Sequence, residues 1–136
     1  MAGYSKTPLV QRLGIKAGQK AVILNAPRGY RKTLGALPEG ASIAESLSSA
    51  SEFIHFFTTE RGELERKFAG LKRKLLPHGM LWISWPKGAA NVETDLNENI
   101  VREVGLKTGL VDVKVCAVDE VWSGLKFVYR LKDRVK

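Results

Sequence analysis

The sequence predicts an α/β domain in three layers: a mostly parallel sheet between helices, with an antiparallel hairpin at its C-terminal end. Three observations predict it. Continuous apolar runs of strand length recur at 21–24, 53–57 and 80–85, as expected of strands covered on both faces. Helical stretches lie between them, the arrangement that builds parallel crossovers. Two adjacent runs of alternating character close the chain, the mark of an antiparallel pair. At 136 residues, 44% hydrophobic and 26% charged, the chain is one domain's worth (1–136) and has enough apolar side chain for a core.

Each element can be justified in order. Residues 9–13 suit a short helix ended by Gly14, and Ala21-Val22-Ile23-Leu24 is the first buried strand. Asn25-Ala26-Pro27-Arg28-Gly29-Tyr30 is rich in turn formers and leads into a helical stretch reaching Leu37. Residues 42–47 make a weaker strand, and Phe53-Ile54-His55-Phe56-Phe57 a clear one. The strongest helix is 60–76, where Leu64, Phe68, Leu71 and Leu75 share one face. Thr59 is its expected N-cap, acidic residues open it, basic residues close it, and Pro77-His78-Gly79 is its expected stop. Met80-Leu81-Trp82-Ile83-Ser84-Trp85 is the next strand. A second helix is expected from Asp95, spaced for a capping box with Glu98, through Leu96, Ile100, Val101 and Val104 to Gly109. Val111, Val113 and Val115, then Leu125, Phe127, Tyr129 and Leu131, carry the alternation of the closing hairpin.

Composition narrows the function classes only loosely. Twenty-two Lys and Arg against 14 Asp and Glu leave +8, which favours anionic partners: nucleotides, acidic proteins, nucleic acid or anionic lipid. No apolar run approaches the ~20 residues that span a bilayer, so no membrane partner is expected. The first six residues show no secretory pattern, and the lone Cys116 fits a reducing compartment, so a cytoplasmic location is expected. Cys116 itself reads as a small buried strand residue, and His55 as a hydrogen-bonded core histidine. No His, Cys or carboxylate cluster has metal spacing, and neither Ser84 nor Ser123 has a nucleophile's context. The long helix mixes Arg61, Arg66, Lys67, Lys72, Arg73 and Lys74 with Glu60, Glu63 and Glu65, the pattern of a solvated face.

The order of elements resembles the Rossmann-like fold of methyltransferases that use S-adenosylmethionine, in which the last strand inserts antiparallel. Thr7-Pro8-Leu9, Leu24-Asn25-Ala26-Pro27, Trp82-Ile83-Ser84-Trp85-Pro86-Lys87 and Val121-Trp122-Ser123-Gly124-Leu125 resemble a bacterial family catalogued as a domain of unknown function. That resemblance implies a small methyltransferase-like domain and brings no activity with it. The methyltransferase cofactor pattern departs at several positions. Its acidic residue after the first strand is Asn25 here; of its loop glycines only Gly29 remains, beside Pro27, Arg28 and Tyr30. Glu45 sits where an acidic residue could accept from ribose hydroxyls, and Thr58-Thr59 lacks the motif of amino-methylating enzymes.

Ligands of open α/β sheets bind beyond the carboxyl ends of the strands. Those ends supply the expected site: Asn25, Arg28, Gly29, Tyr30 and Arg31 after the first strand, Thr58 and Thr59 after the next clear one, Trp85 and Lys87 after the following one. Arg28 suits bidentate contact with phosphate or carboxylate, and Tyr30 or Trp85 suits stacking. The leading expectation is therefore non-catalytic binding of a small anionic ligand or a protein partner, with no catalytic or metal residue. S-adenosylmethionine is expected to bind weakly or not at all. A methyltransferase with a degenerate cofactor loop is one alternative, and a basic nucleic-acid-binding module another.

Overall fold

Six strands form one sheet in the computed structural model, which describes residues 7–134. In chain order the elements are α1 (Leu9–Leu13), β1 (Lys20–Leu24), α2 (Tyr30–Leu34), β2 (Ser42–Ala44), β3 (Ser51–Phe57), α3 (Arg61–Lys74), β4 (Leu75–Pro86), α4 (Glu98–Thr108), β5 (Leu110–Ala117) and β6 (Trp122–Tyr129). The sheet order is β2-β1-β3-β4-β6-β5. β2, β1, β3 and β4 run parallel, and β6 enters antiparallel between β4 and β5. The three apolar runs are thus neighbouring parallel strands, with Ile23, His55 and Trp82 aligned across them. This is the expected α/β architecture, with its antiparallel C-terminal hairpin.

Both sheet faces are covered, which is why these strands are apolar throughout. On one face, Leu9 and Leu13 of α1 with Tyr30 and Leu34 of α2 pack over Ala21, Ile23, Phe53, Phe57 and Trp82. The indole Nε1 of Trp82 donates to the Leu13 carbonyl at 2.9 Å and pins α1 to the sheet. On the other face, Leu64, Phe68 and Leu71 of α3 and Val101 and Val104 of α4 cover Val22, Ile54, Phe56, Ile83 and Phe127. Gly105 lets α4 approach closely: a Cβ there would lie 2.0 Å from Phe127 Cε1.

Several boundaries differ from the sequence expectation. α2 stops at Leu34, before Gly35 at φ 91°, rather than reaching Leu37. Thr59 does not cap α3. Glu60 holds that position without a side-chain bond, and the Arg61 N–H is instead accepted by Asp95 Oδ1 at 2.7 Å, from 34 residues away. Asp95 therefore serves α3, while α4 begins three residues later, capped by Asn97, which accepts from the Ile100 N–H at 2.9 Å.

Pro77-His78-Gly79 is not a turn either: α3 ends at Lys74 and all three lie within β4, in an irregular stretch where the pairing with β3 passes from Leu75 opposite Ser51 to Met80 opposite Phe53. Pro77 is tolerated because it falls in that irregular stretch and because β6 pairs with β4 only from Leu81 onward, leaving its other side a sheet edge. Gly79 is required because a Cβ would sit 2.8 Å from the Glu52 carbonyl of β3. At the other end, β6 stops at Tyr129, opposite the first residue of β5, and Leu131 lies beyond it, 80% exposed. The outer strand β5 carries a bulge between Asp112 and Lys114, beside the exposed Val113 and Val115. No helix among the described residues is long and apolar enough to cross a membrane.

Candidate functional site

The topology reverses between β1 and β3: one connection leaves β1 toward β2, the other leaves β3 toward β4. Crevices of ligand-binding α/β sheets form at such a switch point. Beside it, over the carboxyl ends of β1 and β2, lies a cleft of about 440 Å³, within the usual range for small-ligand sites. Ile23 and Ile43 form its apolar floor; Asn25, Ala26, Pro27, Gly29, Tyr30, Arg31 and Glu45 form its walls.

The wall between β1 and α2 has an unusual backbone. Asn25 lies at φ 60° and Gly29 at φ 84°, both in the left-handed region. Asparagine tolerates that region better than most residues, and glycine adopts it without cost. The Asn25 amide donates to the Phe57 carbonyl at 3.2 Å, tying the start of the loop to the end of β3. A Cβ on Gly29 would meet nothing within 4 Å, so its backbone borders open space.

At the loop's other end, Tyr30 turns inward. Its hydroxyl bonds His55 Nδ1 at 2.9 Å, and His55 Nε2 bonds Ser84 Oγ at 2.7 Å. Tyr30 is 4% exposed, His55 and Ser84 not at all. Burial holds the imidazole neutral, with its pKa pushed down to about 3, and pushes the Tyr30 phenol well above its ordinary value.

The residues expected to form one site therefore separate. Asn25, Gly29, Tyr30 and Arg31 line the cleft. Arg28 is exposed on the same loop but lies outside that lining. Tyr30 leaves little ring to stack on, being 4% exposed and packed at near right angles to the rings of His55 and Phe57. Trp85 is 4% exposed and belongs to the core beneath α3 and α4, so it cannot stack on a ligand. The Thr58 hydroxyl donates to Glu63 Oε1 at 2.5 Å and accepts from the Glu60 N–H at 3.2 Å. Thr59 borders a different depression, with Glu60, Glu93, Thr94 and Asp95. Lys87 is fastened by its N–H to the Val121 carbonyl of the hairpin, 2.7 Å away. Arg28 and Lys87 thus do not share the first cleft with Tyr30.

Two features escaped the residue-by-residue reading. Ile43, on a strand of three residues, is too weak a pattern to be placed as a cleft floor. The Tyr30–His55–Ser84 chain needs the strand register, although the two-residue spacing of Phe53, His55 and Phe57 already places the histidine on their face.

No family model matches the chain, and no curated protein sequence matches it. Solved structures do. A SAM-dependent methyltransferase from Aquifex aeolicus is 16% identical, with 87% of this chain and 86% of that one covered at a TM-score of 0.57. Magnesium protoporphyrin IX methyltransferase from Synechocystis, with bound SAH, is 11% identical over 90% and 78% of the two chains at 0.57. The Methanococcus jannaschii fibrillarin pre-rRNA processing protein is 10% identical over 93% and 71% at 0.58. These likenesses correct the expectation of a non-catalytic binder of a small anion or a protein: the neighbours favour the methyltransferase alternative. What the chain shares with them, at such identities, is the Rossmann-like methyltransferase fold.

Proposed function

We propose that the domain is an S-adenosylmethionine-dependent methyltransferase whose donor site is the cleft over β1 and β2. The observation that carries this reading is the placement of Glu45. Its exposed side chain follows β2 and faces the same cleft as the glycine-bearing loop after β1. Among the described residues it has no ion-pair partner, so its oxygens are available to accept from vicinal hydroxyls. Gly29 supports the fit, because its bare backbone permits close approach along the loop. Arg31 adds a cation at the wall, suited to a carboxylate. Asn25 supplies a neutral oxygen where the methyltransferase pattern has a charge, its amide hydrogens being directed to Phe57. When bound, S-adenosylmethionine supplies an electrophilic methyl group for transfer to a nucleophilic acceptor. This chain's own residues hold and orient: Glu45 takes the polyol, Gly29 and Pro27 shape the wall, and Ile23 and Ile43 exclude water beneath. The buried, unpaired Cys116 supports a reducing, cytoplasmic setting.

Calorimetry with S-adenosylmethionine and S-adenosylhomocysteine tests the reading. Micromolar binding is expected, about −8 kcal/mol, with Glu45→Gln weakening it roughly tenfold, the scale of one hydrogen bond to a charged group. Titrations that show no binding at millimolar ligand would overturn it.

A further inference from the structure

The loop of residues 25–30 is held at both ends by the same strand. Asn25 bonds the Phe57 carbonyl at one end and Tyr30 bonds the His55 ring at the other, while Ala26, Pro27 and Gly29 between them line the cleft. The second anchor is built with care. The His55 ring stacks on Phe57 at 4.2 Å between centroids, meets Tyr30 edge-on at 5.5 Å, and lies near the Trp82 ring at 6.5 Å. Both ring nitrogens are bonded, so rotating the ring would break two buried hydrogen bonds at once. Ser84 contributes by holding Nε2, which leaves Nδ1 directed at the tyrosine. His55 lines no part of the cleft.

We propose that Tyr30, His55 and Ser84 form a positioning chain that holds the loop of residues 25–30 in the shape that receives the methyl donor. His55 acts through Tyr30 and touches no ligand. This deepens the methyltransferase reading and rests on it. Any buried histidine needs partners on its nitrogens; what points to positioning is that one of them is Tyr30, the last residue of the loop that lines the cleft.

The test uses three variants of the full chain. Tyr30→Phe removes the hydroxyl alone and keeps the ring. His55→Asn keeps a polar atom close to the position of Nδ1 and gives up Ser84. His55→Gln reaches toward Ser84 and gives up the tyrosine. Two measurements are made on each: S-adenosylhomocysteine binding by calorimetry, and the rate of tryptic cleavage after Arg28 and Arg31 in the folded protein. Tyr30→Phe and His55→Gln should bind about tenfold more weakly and be cut about tenfold faster. His55→Asn should stay within about threefold of the parent in both. A role limited to core stability predicts the two histidine variants to behave alike, and that result overturns the proposal. So does parental binding and protection in Tyr30→Phe. If the parent itself binds no S-adenosylhomocysteine, the donor reading falls, and cleavage alone decides whether the chain anchors the loop.

Discussion

Acid should weaken this fold through one side chain before its carboxylates matter. His55 is fully buried, with both nitrogens bonded to neutral hydroxyls, and its pKa falls from 6.5 to about 3 because burial penalises the charged ring. The unfolded chain therefore binds a proton near pH 6.5 that the native state refuses until about pH 3. The sign follows: stability from the neutral ring is complete above pH 6.5 and is lost as pH falls from there toward 3. Linkage gives about 1.4 kcal/mol per pH unit, so moving from pH 7.5 to 5.0 should cost about 2 kcal/mol. Carboxylates with depressed values, such as Glu52 bonded to His78, lose their contribution only as pH falls below 4.5, outside the interval from pH 7.5 to 5.0. Urea unfolding of the parent and of His55→Asn at both pH values isolates the effect, since every other group titrates in both proteins. The parent's loss should exceed the variant's by about 2 kcal/mol. Equal losses would mean that the native ring takes up its proton as freely as the unfolded one, and the reasoning would be refuted.

Three further perturbations test how α3 and α4 are packed and capped. Gly105→Ala drives a methyl into Phe127, itself held edge-on by Phe68 at 5.4 Å, so overpacking of ~3 kcal/mol should outweigh ~1 kcal/mol of helix propensity. Gly62→Ala meets only the flexible end of Arg66 and should raise the melting temperature, so thermal melts of the pair must move in opposite directions. Asp95→Ala removes the acceptor for the Arg61 N–H and should cost ~1 kcal/mol, whereas Asp95→Asn should retain most of it. A Thr59→Ala melt lowered as much as that of Asp95→Ala would contradict the cap assignment.

The layers were legible in the sequence because apolar periodicity reports which face of an element is covered, and here both sheet faces are. Local chemistry was less legible wherever a residue serves a distant element. Asp95 has the spacing of a cap for the helix after it but caps the helix before it. Gly79 has the composition of a turn but is required by the nearness of the Glu52 carbonyl. The site divided in the same way. Asn25, Gly29, Tyr30 and Arg31 follow one strand and share one cleft, so proximity in sequence located them. Trp85 and Thr58 stand at neighbouring strand ends, but helix packing turns the first into the core and a bond to Glu63 occupies the second.

The outer strand β5 carries its own defence against adhesion. Among the described residues its outer edge has no strand beside it, and Val113 and Val115 are 52% and 49% exposed, a surface suited to template another chain. Lys114 lies between them, directly opposite Lys126 of β6, and the bulge beside it breaks the flat ladder that a second copy would need. Each lysine tolerates the other's charge, although like charges across a ladder are unfavourable. Lys114→Val would relieve that repulsion, give up the bond from the Lys114 ammonium to the Arg12 carbonyl at 3.0 Å, and put another apolar side chain on the edge strand. One repulsion removed and one bond to α1 lost offset each other in the folded monomer, while the more apolar edge lowers solubility, so the charge on β5 matters most where copies of the chain meet.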